Sequence, residues 1–206
     1  MRRIFSLIIS VVLQPLVIPS LVFGLALFVV PEATSIPDSF KKRLFYLIAL
    51  STLVIPMITI FGLRLSGTLK SIHMAELKDR AVPFTVTSIY YILTVYLLYQ
   101  QRQFDPILWQ VLGIITLAIV VLTIVTFFWK MSAHMIGMGG LIAAVVVLGL
   151  KFPTFKPLYS LLASLVLTGL VGSVRLYLEA HKPIEIYVGL LFGFVLCYVG
   201  FSWIWA

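Results

Sequence analysis

The chain alternates long apolar runs with short polar punctuation. Seven runs stand out, at 4–30, 44–63, 84–101, 107–129, 135–150, 157–178 and 186–205. An apolar run of about 18 residues or more is long enough for an α-helix to cross a bilayer. The fifth run is short on that measure unless its helix begins before residue 135. The first carries no charge, and Pro15 and Pro19 predict a kink within it. Arg2 and Arg3 precede it, as they do in a signal peptide. A signal's apolar region is about 7–15 residues, however, so this much longer run reads as a span. Proline marks junctions at Pro31, Pro83, Pro106, Pro153 and Pro183. The longest polar stretches, 32–43 and 64–80, leave no room for a soluble domain, and no repeat of fixed period is visible. The pattern predicts an all-α integral membrane protein. It would be a bundle of six to seven transmembrane helices, forming one domain over 1–206.

Composition narrows this further. Hydrophobic residues make up 62% and charged residues 11%, against about 45–50% and about 25% in soluble domains. A soluble globule and a disordered chain are both excluded. The single cysteine, Cys197, allows no intrachain disulfide and no cysteine metal site. The net charge of +8 fits cations that flank helices beside anionic membrane lipids, so no nucleic-acid partner is expected.

Seven spans place alternate connections on opposite faces. The N-terminus, 64–83, 130–134 and 179–185 share one face; 31–43, 102–106, 151–156 and the C-terminus share the other. The first face holds Arg2, Arg3, Arg64, Lys70, Lys78, Arg80, Lys130, Arg175 and Lys182; the second holds Lys41, Lys42, Arg43, Arg102, Lys151 and Lys156. Three clusters with chemical potential all fall on the first face: Lys78-Asp79-Arg80, Lys130 to His134, and Ser173 to Glu185. Ionisable groups at span ends are costly and therefore candidates for function. Lys78, Arg80, Lys130 and Arg175 are suited to phosphate oxygens. His134 and His181 stand where apolar helices begin, and the helix dipole there favours an anion. Glu185, four residues after His181, can hold that ring in one tautomer. A nucleophilic histidine with a second as general acid suffices for phosphoryl transfer, with no metal and no cofactor. Plainer readings compete. Lys78, Arg80 and Lys130 also suit interfacial anchors, Arg175 and Glu179 suit a helix ion pair, and His73 suits an interfacial histidine. Gly137, Gly139, Gly140, Gly189 and Gly193 read as close-packing positions.

These clusters resemble the type 2 phosphatidic acid phosphatase superfamily, the membrane lipid-phosphate phosphatases. That family carries Lys-x6-Arg-Pro, then Pro-Ser-Gly-His, then Ser-Arg-x5-His-x3-Asp. Here Arg175, His181 and Glu185 keep the third motif's spacing with Glu for Asp, and Ser173 lies one residue too early for its serine. Met131-Ser132-Ala133-His134 keeps the Ser and His of the second. In the first, Arg80 is followed by Ala81 and Val82 before Pro83, and His73 stands where the lysine would fall. The resemblance covers about 78–190. It implies that His181 attacks phosphorus, Glu185 orients it and His134 protonates the leaving oxygen. Arg80, Arg175, Lys78 and Ser132 would hold phosphate, with Lys130 beside them. The expected activity is metal-independent hydrolysis of a lipid phosphate or diphosphate at one membrane face. Polyprenyl diphosphate, phosphatidic acid, phosphatidylglycerol phosphate and a lipid A phosphate are candidates. Head-group transfer through the same site, or lipid-phosphate binding without catalysis, are the alternatives. The resemblance points to a bacterial inner membrane with an extracytoplasmic site.

Overall fold

In hydrocarbon a backbone must satisfy its own hydrogen bonds, so each long apolar run becomes a helix. The computed structural model describes residues 2–68 and 77–206, with side chains over 3–68 and 79–206. It is 82% helical, with no strand among the described residues. Seven helices are long and apolar enough to cross a membrane. They are α1 (Arg3–Val29), α2 (Asp38–Leu65), α3 (Asp79–Gln100), α4 (Ile107–Thr126), α5 (Ala133–Lys151), α6 (Leu158–Tyr177) and α7 (Pro183–Ile204). The protein is an all-α integral membrane bundle, and all seven helices contribute to one hydrophobic cluster.

Several boundaries lie outside the apolar runs. Helix α2 begins at Asp38, with Pro37 at its N-cap, and Lys41 pairs with Asp38 one turn back at 2.8 Å. Pro83 is not a junction: it lies inside the continuous helix Leu77–Gln100 that contains α3. There its missing N–H deprives only the Asp79 carbonyl of a helical donor, which a membrane helix tolerates. In α1 the first helical segment, Arg2–Val12, ends before Gln14. Gln14 is extended (φ −66°, ψ 153°), as expected of a residue preceding proline. Pro15 then opens a short 3₁₀ turn, whereas Pro19 sits in the first turn of the resumed helix Ile18–Gly24 and breaks nothing. Of the two predicted kink residues, only Pro15 acts.

Helix α5 is the centre of the bundle: 67% of its most apolar window is buried, against 22% for α2. Its closest neighbour is α7. A Cβ on Gly193 would collide with the Ile136 carbonyl, and one on Gly189 would lie 2.9 Å from the Ser132 carbonyl oxygen. These glycines let two backbones touch, as in small-residue membrane seams. The seam fixes the start of α5 against the start of α7, where the Ser132 N–H donates to the Glu185 carbonyl at 3.3 Å.

Candidate active site

A cavity of about 590 Å³ runs between the helices. One end is polar, walled by Arg80 of α3, His134 of α5, Arg175 of α6, His181 of the α6–α7 turn and Ser10 of α1. Elsewhere the wall is largely apolar, including Leu16, Val22, Phe61, Ile119 and Phe201. The three sequence clusters therefore meet at one end of the bundle.

The turn that carries His181 is set by how α6 stops. The Ala180 N–H donates to the Arg175 carbonyl at 3.1 Å and the Glu179 N–H to the Leu176 carbonyl at 2.9 Å. This is a Schellman ending, and its left-handed position is filled by Glu179 (φ 52°) where glycine is the usual residue. The reversal returns the chain so that Arg175 and His181 wall the same cavity. It also removes Glu179 from the helix. The i,i+4 ion pair with Arg175 is not formed; Glu179 is exposed, and Arg175 Nη1 donates instead to Ser10 Oγ at 3.0 Å.

His181 is buried, and its Nδ1 lies 2.8 Å from Glu185 Oε2. The same oxygen accepts the Lys182 N–H at 3.2 Å, so Glu185 also caps the start of α7. A carboxylate accepts, so Nδ1 carries the proton and Nε2 keeps its lone pair. Burial above all, then Arg80, Arg175, Lys130 and His134, pulls the His181 pKa down to about 2. Its ring is neutral at physiological pH.

His134 stands in the first turn of α5, and its Nε2 lies 3.0 Å from the Ser10 carbonyl oxygen. A carbonyl only accepts, so Nε2 is protonated here. Ser132 is fully buried at the N-cap of α5, yet its hydroxyl neither caps the helix nor has any partner, and it is not on the cavity wall. Arg175 Nε is likewise buried without a partner. Lys130 lies half-buried just before α5; burial, then the charges of Arg80 and Arg175, lower its pKa against the opposing pull of Glu185. The Lys78 side chain and all of His73 lie outside the described residues.

Ser10 is the site residue that the motifs miss. Its signal is a polar stripe, Ser6, Ser10 and Gln14 at four-residue spacing in a charge-free run. Ser6 and Ser10 are buried, while Ile4, Phe5, Ile8, Val11 and Val12 are exposed toward the surroundings. A polar stripe on a membrane helix belongs against protein. Among the described residues, no three His, Cys, Asp or Glu side chains gather as a metal-holding group.

No family model matches the chain, and neither a curated protein nor a solved structure is significantly similar to it.

Proposed function

We propose that the protein hydrolyses the phosphate or diphosphate of a membrane lipid through a phosphohistidine, as the type 2 phosphatidic acid phosphatases do. One observation carries the reading. The Nε2 of His181, left free by the Nδ1–Glu185 bond, belongs to a ring on the same cavity wall as Arg80, Arg175 and His134. The remaining, largely apolar wall suits a lipid chain, and the polar end suits its head group.

In this mechanism the Nε2 lone pair attacks phosphorus, and the bond from phosphorus to the lipid oxygen breaks. That oxygen takes a proton from His134, the general acid. Glu185 keeps the Nδ1 proton and offsets the positive ring that forms. Arg80 and Arg175, with Lys78 and Lys130, neutralise the phosphoryl oxygens. Water then attacks phosphorus, His134 recovers a proton, and the P–N bond breaks to release phosphate and restore His181.

The deciding experiment measures phosphate release by purified protein in detergent, without added metal, from polyprenyl diphosphate, phosphatidic acid, phosphatidylglycerol phosphate and a lipid A phosphate. The wild type releases phosphate from at least one, and His181→Ala lowers the rate about 10³-fold or more. No release from any of them ends the hydrolase reading. Release only with an added alcohol favours head-group transfer; binding without turnover that survives His181→Ala favours a carrier. The same reading puts the site on the extracytoplasmic side of a bacterial inner membrane. A reporter fused after Ala206 then reads as cytoplasmic.

A further inference from the structure

We infer that Ser10 of α1 is a positioning residue of this site, its hydroxyl holding Arg175 and its backbone carbonyl holding His134. The inference rests on the reading of Arg175 and His134 as phosphate-handling groups, but it concerns a different helix and fails separately.

Pro15 follows the first helical segment of α1 and opens the 3₁₀ turn after it. Proline drives the residue before it out of the helical region, and Gln14 is extended accordingly. The last backbone bond of the first α1 segment runs from the Leu13 N–H to the Ile9 carbonyl, at 2.9 Å. The Ser10 carbonyl lies one step beyond that bond and would be an orphan in the membrane. The His134 Nε2–H fills the place, at 3.0 Å. The break in α1 thus creates the acceptor that selects one tautomer of His134. A continuous helix would have consumed the same carbonyl.

The hydroxyl completes the arrangement. Arg175 Nη1 lies 3.0 Å from Ser10 Oγ, and Ser10 is buried. A guanidinium on a long flexible side chain loses much entropy when it clamps an anion. One hydrogen bond to a fixed oxygen removes part of that freedom beforehand and leaves the remaining N–H groups for the anion. The first α1 segment packs against α6, the helix that carries Arg175, so the oxygen is held by helix packing.

The same distances also define an opposite role. In that role Ser10 occupies the place of a phosphate oxygen and is displaced on binding. The two roles predict effects of opposite sign. The experiment uses the full chain in detergent, with inorganic phosphate as the probe, titrated by ³¹P NMR. Ser10→Ala is expected to weaken phosphate binding about tenfold, and Ser10→Thr, which restores a hydroxyl, to return it within about twofold. Ser20→Ala, in the same span but off the cavity wall, leaves binding unchanged. With a lipid-phosphate substrate, Ser10→Ala raises KM more than it lowers kcat. The ¹⁵N spectrum of the histidines, assigned by His134→Gln, shows His134 protonated at Nε2.

Binding by Ser10→Ala that equals or exceeds the wild type overturns the inference, as does a loss that Ser10→Thr fails to restore or that Ser20→Ala shares. An Nδ1-protonated His134 overturns the carbonyl half. Phosphate binding that weakens in Ser10→Ala, in a protein that turns over no lipid phosphate, sinks the hydrolase reading and leaves this one standing. Turnover equal in wild type and Ser10→Ala does the reverse. A wild type that binds no phosphate sinks both.

Discussion

The two ends of the bundle treat charge differently. At the end away from the cavity's polar wall, Lys41 is buried but has Asp38 at 2.8 Å. The acids there are spent on the chain itself. Asp105 accepts the Ser35 and Ile107 N–H groups at 2.6 and 3.0 Å, and Glu32 accepts the Thr154 hydroxyl at 2.6 Å. At the other end, Arg80, Arg175 and Lys130 all act on His181. Glu185 is a carboxylate that offsets Arg80 and Lys130, and its Oε2 also serves His181 and the Lys182 N–H. Burying cations is expensive, and Arg80 and Arg175 stand on the wall of a cavity that an anion can enter. The placement of charge, on a cavity wall at one end and in a local pair at the other, separates an end suited to an anion from a structural end.

The largest expected effect tests that difference directly. Arg175→Ala should lower kcat/KM for phosphate release at least 100-fold, about 2.7 kcal/mol of transition-state stabilisation. Lys41→Ala should leave turnover within about twofold while costing about 1 kcal/mol of stability, mostly through lost packing of its stem. Parallel rate and thermal-unfolding measurements in detergent decide it. Equal losses of activity from both variants would break the comparison.

The next effect probes what fixes the site end. Gly193→Ala must push α7 off the Ile136 carbonyl, at an expected cost of about 1–3 kcal/mol. Gly62→Ala, in α2 with nothing within 4 Å of the added carbon, should be neutral or stabilising by up to about 1 kcal/mol. Because the α5–α7 seam also sets Ser132 against Glu185, phosphate release should fall in the first variant only.

A third effect follows from the neutral ring. The folded pKa of His181 is near 2, against about 6.5 for an unfolded histidine. Below about pH 6.5 the unfolded chain binds a proton that the folded chain refuses, so stability falls as the pH drops from there toward 2. The slope from this group is at most about 1.4 kcal/mol per pH unit, and above pH 7 it vanishes. His181→Gln should make the fall shallower in thermal unfolding between pH 4 and 8. An unchanged slope would mean that His181 is not held neutral.

Hydropathy alone locates the seven spans, because only a helix satisfies the backbone in lipid. It misplaces the ends, because Asp38, Lys41 and Arg80 remain helical beyond the apolar core. Arg175, His181 and Glu185 are legible because a helix end, a turn and one helical step fix them locally. Ser10 is not, since 165 residues separate it from Arg175. Nor is a hydroxyl in a span diagnostic by itself: Thr87, Thr116, Thr123 and Thr126 all donate to the carbonyl four residues back in their own helices. Ser132 shows the converse, a residue named by a motif whose hydroxyl lies off the cavity wall.

The smallest effect sharpens the boundary of the site. Glu179 holds the left-handed position of the α6 ending with a side chain that disfavours it, at a cost of about 1–2 kcal/mol. Glu179→Gly relieves that cost but adds freedom to the unfolded chain, so the net gain should be about 0.5–1 kcal/mol. For a chain of this size that is a rise of roughly 1–4 °C in Tm. The turn keeps its geometry, since glycine is the preferred residue there. Arg175 and His181 then stay in place, and Glu179 itself is exposed, so turnover should remain within about twofold. A rise in Tm with a tenfold loss of turnover would instead draw the exposed Glu179 carboxylate into the site, as a second anion beside Glu185.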